Sequence, residues 1–315
     1  MHEFDLIKQY FTWEPQPKDV RVSVGDDAAI VKLAAQEELI ISVDSLVNGL
    51  HFPVNTPAHA IGYKALAVNL SDLAAMGAKP RWFTLALTLP AVDPAWLLDF
   101  ALGLRELANQ HQIFLIGGDT TRGPLSITIQ VMGSAPKNRA LLRSGAQQGD
   151  LIVVSGSLGD AAAGLAFVQN RLSLADVDAD YCVQRLNYPT PRIELGRWLA
   201  KHATSCMDIS DGLIADLKHL LKRSQVGATL YHRQIPLSSA LQKLPLSTAL
   251  SFALTGGDDY ELLFTIPKQQ ADKLEKYQLF SKLPLKVIGE ITTEIEQVTL
   301  DYALVNVPDG YNHFQ

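Results

Sequence analysis

Aspartates recur at positions whose neighbours decide what chemistry they could do. Asp26 and Asp27 follow Gly25, Asp44 ends the run Leu-Ile-Ile-Ser-Val, Asp119 ends Ile-Phe-Leu-Ile-Gly-Gly, and Asp208 and Asp211 follow Cys-Met. Most of these acids terminate apolar runs that read as strands. In open α/β sheets the strand ends form the ligand crevice, so acids presented there from several strands can converge. With Ser42 and Thr120 beside them and no clustered Cys or His, they make a hard oxygen donor set suited to Mg²⁺, Mn²⁺ or Ca²⁺ rather than zinc. Magnesium leads. Taken singly, a Gly-Asp pair is more readily a cap or an Asx turn, an account that weakens for the whole set.

A second cluster, Gly117-Gly118-Asp119-Thr120-Thr121-Arg122-Gly123, combines small residues that admit close backbone approach, an acid, two hydroxyls and a guanidinium able to bind phosphate oxygens. It suits a nucleotide phosphate tail, although alone it reads as readily as a turn between two strands. There is no Gly-Lys pair for a Walker A loop, and no GxGxxG, GxSxG or HExxH pattern.

The elements that must carry these residues follow from periodicity. Apolar runs at Leu39–Val43, Trp82–Leu89, Ile113–Ile116 and Leu125–Val131 predict strands, and Thr56-Pro57 and Asp93-Pro94 open helices. The first helix runs towards Met76 and contains Asp72, a poor helix former unless something compensates. The polar, basic stretch 136–150 marks a domain boundary, after which the α/β pattern resumes with a strand Leu151–Ser155, helices after Gly159, Pro191 and Gly212, and a strand Tyr260–Ile266.

The 315 residues predict about two domains with a large core. A hydrophobic fraction of 47% and a charged fraction of 19% describe a globular chain. The net charge of −6 offers no global field for nucleic acid or an anionic membrane. No run is long and apolar enough to span a bilayer and no secretory signal opens the chain, so a soluble cytoplasmic protein is expected. Cys182 and Cys206 fit no zinc spacing and are expected to be reduced thiols.

Nine stretches carry a resemblance. GDDAA (Gly25–Ala29), SVDSLVNGLHF (Ser42–Phe52), YKALAVNLSDLAAMGAKP (Tyr63–Pro80), IGGDTTRGP (Ile116–Pro124) and MDISDGL (Met207–Leu213) together resemble the thiamine-monophosphate kinase family. LLRSGAQQGD (Leu141–Asp150), SGSLGDAAAGL (Ser155–Leu165), LTGGDDYELLFTIP (Leu254–Pro267) and GYNHF (Gly310–Phe314) extend the likeness over essentially the whole chain.

That family shares its superfamily with aminoimidazole ribonucleotide synthetase, selenophosphate synthetase and a hydrogenase maturation factor. The resemblance implies a two-domain α/β fold of the α+β type. Residues 1–137 would form an N-terminal ATP- and magnesium-binding domain that also dimerises through its strands. Residues 148–315 would form a C-terminal α/β domain completing the active site. The resemblance further implies magnesium ligands at Asp27, Ser42, Asp44, Asp72, Asp119, Asp208 and Asp211, with Val43 contributing backbone where relatives often carry Thr. It places Gly118, Asp119, Arg143 and Ser210 on ATP, and His51, Asp258 and Tyr311 on the thiamine phosphate; relatives often carry Glu at the position of Asp258. Read without the family, His51 is a turn or core histidine, Tyr311 a packing aromatic and Arg143 a solvated charge.

The implied reaction moves the γ-phosphoryl group of ATP to thiamine monophosphate, giving thiamine diphosphate in the last step of its biosynthesis. Both partners are polyanions, so an acid-rich crevice requires several Mg²⁺ ions. The acceptor phosphate is largely ionised at pH 7 and needs no general base, which leaves no residue assigned as catalytic base or covalent nucleophile. Two alternatives stay open: another ATP-dependent synthetase of the aminoimidazole ribonucleotide synthetase type, and a non-catalytic magnesium-nucleotide sensor.

Overall fold

The computed structural model describes residues 3–13, 16–25, 27–301 and 303–304; Asp26 and Tyr311 lie outside them. The chain divides into two compact units, one of residues 1–73 and 78–140, the other of 74–77 and 141–315.

The first unit begins with α1 (Glu3–Leu6), a wide turn at Ile7–Phe11 and the antiparallel pair β1 (Val20–Val22) and β2 (Ile30–Val31). There follow β3 (Glu37–Val47), α2 (Ala58–Ala75), β4 (Lys79–Leu89), α3 (Pro94–His111), β5 (Phe114–Arg122) and β6 (Ser126–Pro136). The sheet runs in the order β3-β6-β4-β5, antiparallel except where β4 and β5, joined through α3, lie parallel.

Side chains alternate between the faces of a strand, and β3 shows it: Leu39, Ile41, Val43 and Val47 are exposed while Leu46 is buried and Ile40, Ser42 and Asp44 are half-buried. Helix α2 is buried almost throughout, so its sequence is apolar or small nearly all round. The carboxylate of Asp93 caps α3 by accepting from the amides of Ala95 and Trp96 at 3.0 and 3.3 Å. Two glycines set how closely α2 meets α3. A Cβ at Gly62 would stand 2.1 Å from the Phe100 carbonyl oxygen, and one at Gly103 2.0 Å from that of His59.

The second unit contains β7 (Leu151–Ser155), α4 (Asp160–Val168), α5 (Asp176–Asn187), α6 (Ile193–Leu199), β8 (Ser205–Asp208), α7 (Leu213–Ser224) and β9 (Gly227–Leu230). It continues with α8 (Leu246–Thr255), β10 (Leu262–Ile266), α9 (Ala271–Ser281), β11 (Leu285–Thr292), β12 (Val298–Leu300) and β13 (Ala303–Leu304). Among the described residues its sheet has the order β13-β12-β9-β11-β7-β10-β8, with one parallel pair, β12 and β9. One side of this sheet packs Ile152, Val154 and Leu263 against Leu213, Leu217, Leu220 and Leu221 of α7.

Two expectations change. Asp44 and Asp119 do not end their strands: Asp44 is the eighth of eleven residues in β3 and Asp119 the sixth of nine in β5. Gly117 to Arg122 is likewise strand and not a turn. Gly118 (φ +154°) is drawn so close to β4 that a Cβ would stand 1.9 Å from the Leu85 carbonyl oxygen, a fit only glycine makes.

Gly103→Ala gains up to about 1 kcal/mol of helix propensity. It sets that against an overpacking penalty of about 1–3 kcal/mol, at the upper end because the obstruction is backbone. The expected net loss is about 1–2 kcal/mol, read as a lower urea midpoint at unchanged m-value.

Candidate functional site

In the first unit, two of the expected ligands meet directly: Ser42 Oγ on β3 donates to Asp72 Oδ2 on α2 at 2.6 Å. The strand is held to the helix at the neighbouring acid as well. The Asp44 amide donates to Asn69 Oδ1 at 3.1 Å, and Asn69 Nδ2 donates to the Ala65 carbonyl one turn back at 2.9 Å. Asn69 is fully buried, so its amide is fixed from both ends. After β3 the chain turns, and His51 Nδ1 accepts from the Val47 amide at 3.0 Å. That bond places the proton of the neutral imidazole on Nε2, a donor suited to an anion.

Asp27, Gly118 and Asp119 meet elsewhere, along a cleft of about 650 Å³ that Ile7, Phe11, Thr84 and Ile116 also line. The register separates this cleft from the Ser42–Asp72 pair. Asp44 lies opposite Ile129, Ile129 opposite Leu85, and Leu85 opposite Gly118, which is three strand spacings, or about 14 Å. Asp44 and Asp119 of one chain are therefore too far apart to ligate one ion. No group of three or more His, Cys, Asp or Glu poised around one metal position occurs among the described residues.

In the second unit the sequence ISDG (Ile209–Gly212) leaves β8 just after the buried Asp208 and runs beside GGDDY (Gly256–Tyr260). The two loops are zipped by backbone bonds: the Ile209 amide to the Glu261 carbonyl, the Tyr260 amide to that of Ile209, and the Asp258 amide to that of Ser210, at 2.9, 2.8 and 2.9 Å. This brings Asp208, Ser210, Asp211 and Asp258 onto adjoining backbone. Asp258 and Tyr260 both adopt left-handed backbone, φ +70° and +50°, which non-glycine residues keep only when their surroundings enforce it. Tyr260 Oη donates to Asp258 Oδ1 at 3.1 Å. Arg143 is exposed in the loop ahead of β7, and its carbonyl accepts from Ser224 Oγ at 2.9 Å.

Two family models match the chain, "AIR synthase related protein, N-terminal domain" over residues 25–135 and "AIR synthase related protein, C-terminal domain" over 147–301. Thiamine-monophosphate kinase of Escherichia coli strain K12 is 47% identical, over 99% of this chain and 98% of the relative. The chain belongs to the thiamine-monophosphate kinase family. A crystal structure of that kinase from Stenotrophomonas maltophilia K279a aligns with a TM-score of 0.87 at 46% identity, covering 91% of this chain and 93% of the other. A structure described as AaThiL complexed with AMPPCP and TMP aligns with a TM-score of 0.80 at 32% identity, covering 93% and 92%. The chain thus has the two-domain fold of this family and its enzymatic activity, ATP-dependent phosphorylation of thiamine monophosphate. No helix among the described residues is long and apolar enough to cross a membrane.

Sequence reasoning missed the residues that hold the kinase loops. Asn69 and Tyr260 stood inside motifs already singled out but carried no charge to draw notice. Asp216 escaped because an acid in the first turn of a helix is ordinary; it receives three backbone amides, from Ser210, Asp211 and Gly212, at 3.0, 3.0 and 3.1 Å. Glu261 reads as part of a strand pattern, yet it is buried among Arg192 (2.7 and 2.5 Å), Arg185 (2.8 Å) and Ser155 Oγ (2.6 Å). Burial would raise the Glu261 pKa, but the two guanidinium groups and the hydroxyl outweigh it and hold the carboxyl below its usual range. Cys182 and Cys206 are both buried free thiols, and burial pushes the Cys182 pKa up to about 12.

Glu261→Gln leaves two partly buried guanidinium groups without their counter-charge, so a loss of about 3 kcal/mol is expected in urea unfolding at pH 7. The folded pKa lies below the unfolded value of about 4.3. The wild type's advantage is therefore fully present above that value and shrinks as pH falls through the folded pKa.

Proposed function

We propose that the chain catalyses direct, in-line, magnesium-dependent transfer of the γ-phosphoryl group of ATP to the phosphate of thiamine monophosphate, without a phosphoenzyme. The carrying observation is the meeting of Ser42 and Asp72 at 2.6 Å, beside an Asp44 whose backbone Asn69 fixes. It puts hard oxygen donors of a strand and of a buried helix on one spot, in a chain whose relative binds AMPPCP and TMP.

The donor chemistry fits Mg²⁺. Asp27, Ser42, Asp44, Asp72, Asp119, Asp208 and Asp211 supply oxygen only, Val43 adds backbone, and neither buried thiol lies among them. Bound Mg²⁺ ions neutralise charge that two polyanions and an acid-lined site would otherwise set against one another. Because Asp44 and Asp119 cannot share an ion within one chain, Ser42, Asp44 and Asp72 form one ligand group and Asp27 with Asp119 another.

Gly118 and Asp119 contact ATP along the cleft, whose volume suits a nucleotide. Ser210 offers a hydroxyl and the exposed Arg143 a positive charge for phosphate oxygens. His51 donates from Nε2 to the substrate phosphate. Asp258 faces the cationic thiazolium, and Tyr311 supplies an aromatic face. The acceptor is already an anion, so the chain's residues bind, orient and exclude water, and none needs to remove a proton.

We also read the chain as a homodimer joined through β3. This edge strand turns Leu39, Ile41, Val43 and Val47 to solvent, an apolar row that soluble monomers avoid.

Asp72→Asn is expected to lower kcat by two orders of magnitude or more, since several kcal/mol of charge stabilisation depend on the site it helps build, with little change in melting temperature. Thiamine diphosphate and ADP formation, followed by chromatography across a Mg²⁺ titration, checks it, and wild-type kcat refutes the metal assignment. Ile41→Asp is expected to convert the dimer to monomer in sedimentation velocity.

A further inference from the structure

Three consecutive amides that point into one hollow form a nest, an arrangement that ordinarily receives an anionic ligand such as phosphate. The amides of Ser210, Asp211 and Gly212 make such a nest at the entry to α7, in the loop assigned above to nucleotide and metal. Here the nest is filled by an acceptor from the chain itself. Asp216, buried at 2% exposure one turn into the helix, receives all three on its Oδ2. Gly212 (φ +116°) makes the turn possible, and a Cβ there would stand 2.9 Å from the Thr255 backbone.

We infer that Asp216 is a positioning residue which fills the nest and so denies these three amides to ATP. The consequence concerns how the loop recognises phosphate. With its amides turned inward, it can present only side chains outward, the hydroxyl of Ser210 and the carboxylate of Asp211. An Asp211 carboxylate repels phosphate directly, so this loop engages the nucleotide through a cation. By gathering the three amides Asp216 holds Ser210 and Asp211 where a cation would join them to phosphate, in contrast to glycine-rich loops whose amides hold phosphate unaided. This rests on the assignment of Ser210 and Asp211 made above.

Asp216→Asn keeps the size but replaces one carboxylate oxygen with an amide nitrogen, which cannot accept from the three amides. The expected result in the full-length protein is a 10- to 100-fold fall in kcat, the range seen when groups supporting a metal ligand are lost. The Mg²⁺ concentration for half-maximal rate should rise at least fivefold, and the KM for thiamine monophosphate should stay within twofold. A residue that only stabilises the fold would lower the melting temperature and leave the Mg²⁺ midpoint of the remaining folded enzyme unchanged, and that outcome overturns the inference. Asp211→Asn separates the two readings: if it too leaves the Mg²⁺ midpoint unmoved, the metal assignment of Asp211 fails and not the role of Asp216. Should Asp216→Asn not fold, amide hydrogen exchange of the wild type decides. Protection of residues 210–212 without nucleotide supports a filled nest, and rapid exchange there refutes it.

Discussion

Carboxylates brought together in a fold repel one another and lose their hydration, and the organisation of both units answers that constraint. The chain meets it in two ways. Acids that serve the architecture receive donors from the protein itself: Glu261 has two guanidinium groups and a serine, Asp216 three amides, and Asp160 the hydroxyls of Ser157, Tyr181 and Ser238. Several acids assigned to ligands also keep contact with solvent, although Asp72 accepts from Ser42, Asp258 accepts from Tyr260, and Asp208 is buried. Asp27 and Asp119 lie along an open cleft, and Asp72 keeps some exposure although its helix is otherwise buried.

Rigidity follows from the same demand. A phosphoryl transfer whose acceptor is already ionised leaves the protein little covalent work, so rate depends on where the reacting atoms are held. Helix α2 suits that need because it is buried on nearly all sides and pressed against α3 by reciprocal glycine contacts. Asn69, three residues before Asp72, ties this helix to β3 at Asp44. A displacement of the helix would therefore move Asp72 and the strand together and preserve their relation.

The strands and helices were legible because apolar runs and capping pairs are local signals. Leu151–Ser155 appears as read, and Asp93-Pro94 opens α3 through the carboxylate its position suggests. Strand length was less legible. Ser42, Asp44 and the glycines of β5 interrupt the apolar pattern, yet pairing with β6 and β4 carries the strands through them, because ladder bonds are indifferent to side-chain polarity. The ligand acids were visible as a set, but their grouping was not. That Asp44 and Asp119 stand three strands apart depends on the sheet order β3-β6-β4-β5, which no local pattern contains. Helix α5 also went unread: its acid-rich sequence has a weak apolar face, and it forms by packing on α4.

The loop GGDDY shows how a short acidic side chain is held in place. The backbone here is already committed to left-handed geometry at Asp258 and Tyr260, fastened to Ser210 and Ile209, and closed by the Tyr260 hydroxyl on Asp258 Oδ1. An aspartate has one fewer rotatable bond than a glutamate, so a carboxylate held by its own neighbour loses less freedom when it meets a ligand. A short acid reaches little beyond its own backbone, so its position is set by the loop, and left-handed residues fastened on both sides supply that definition.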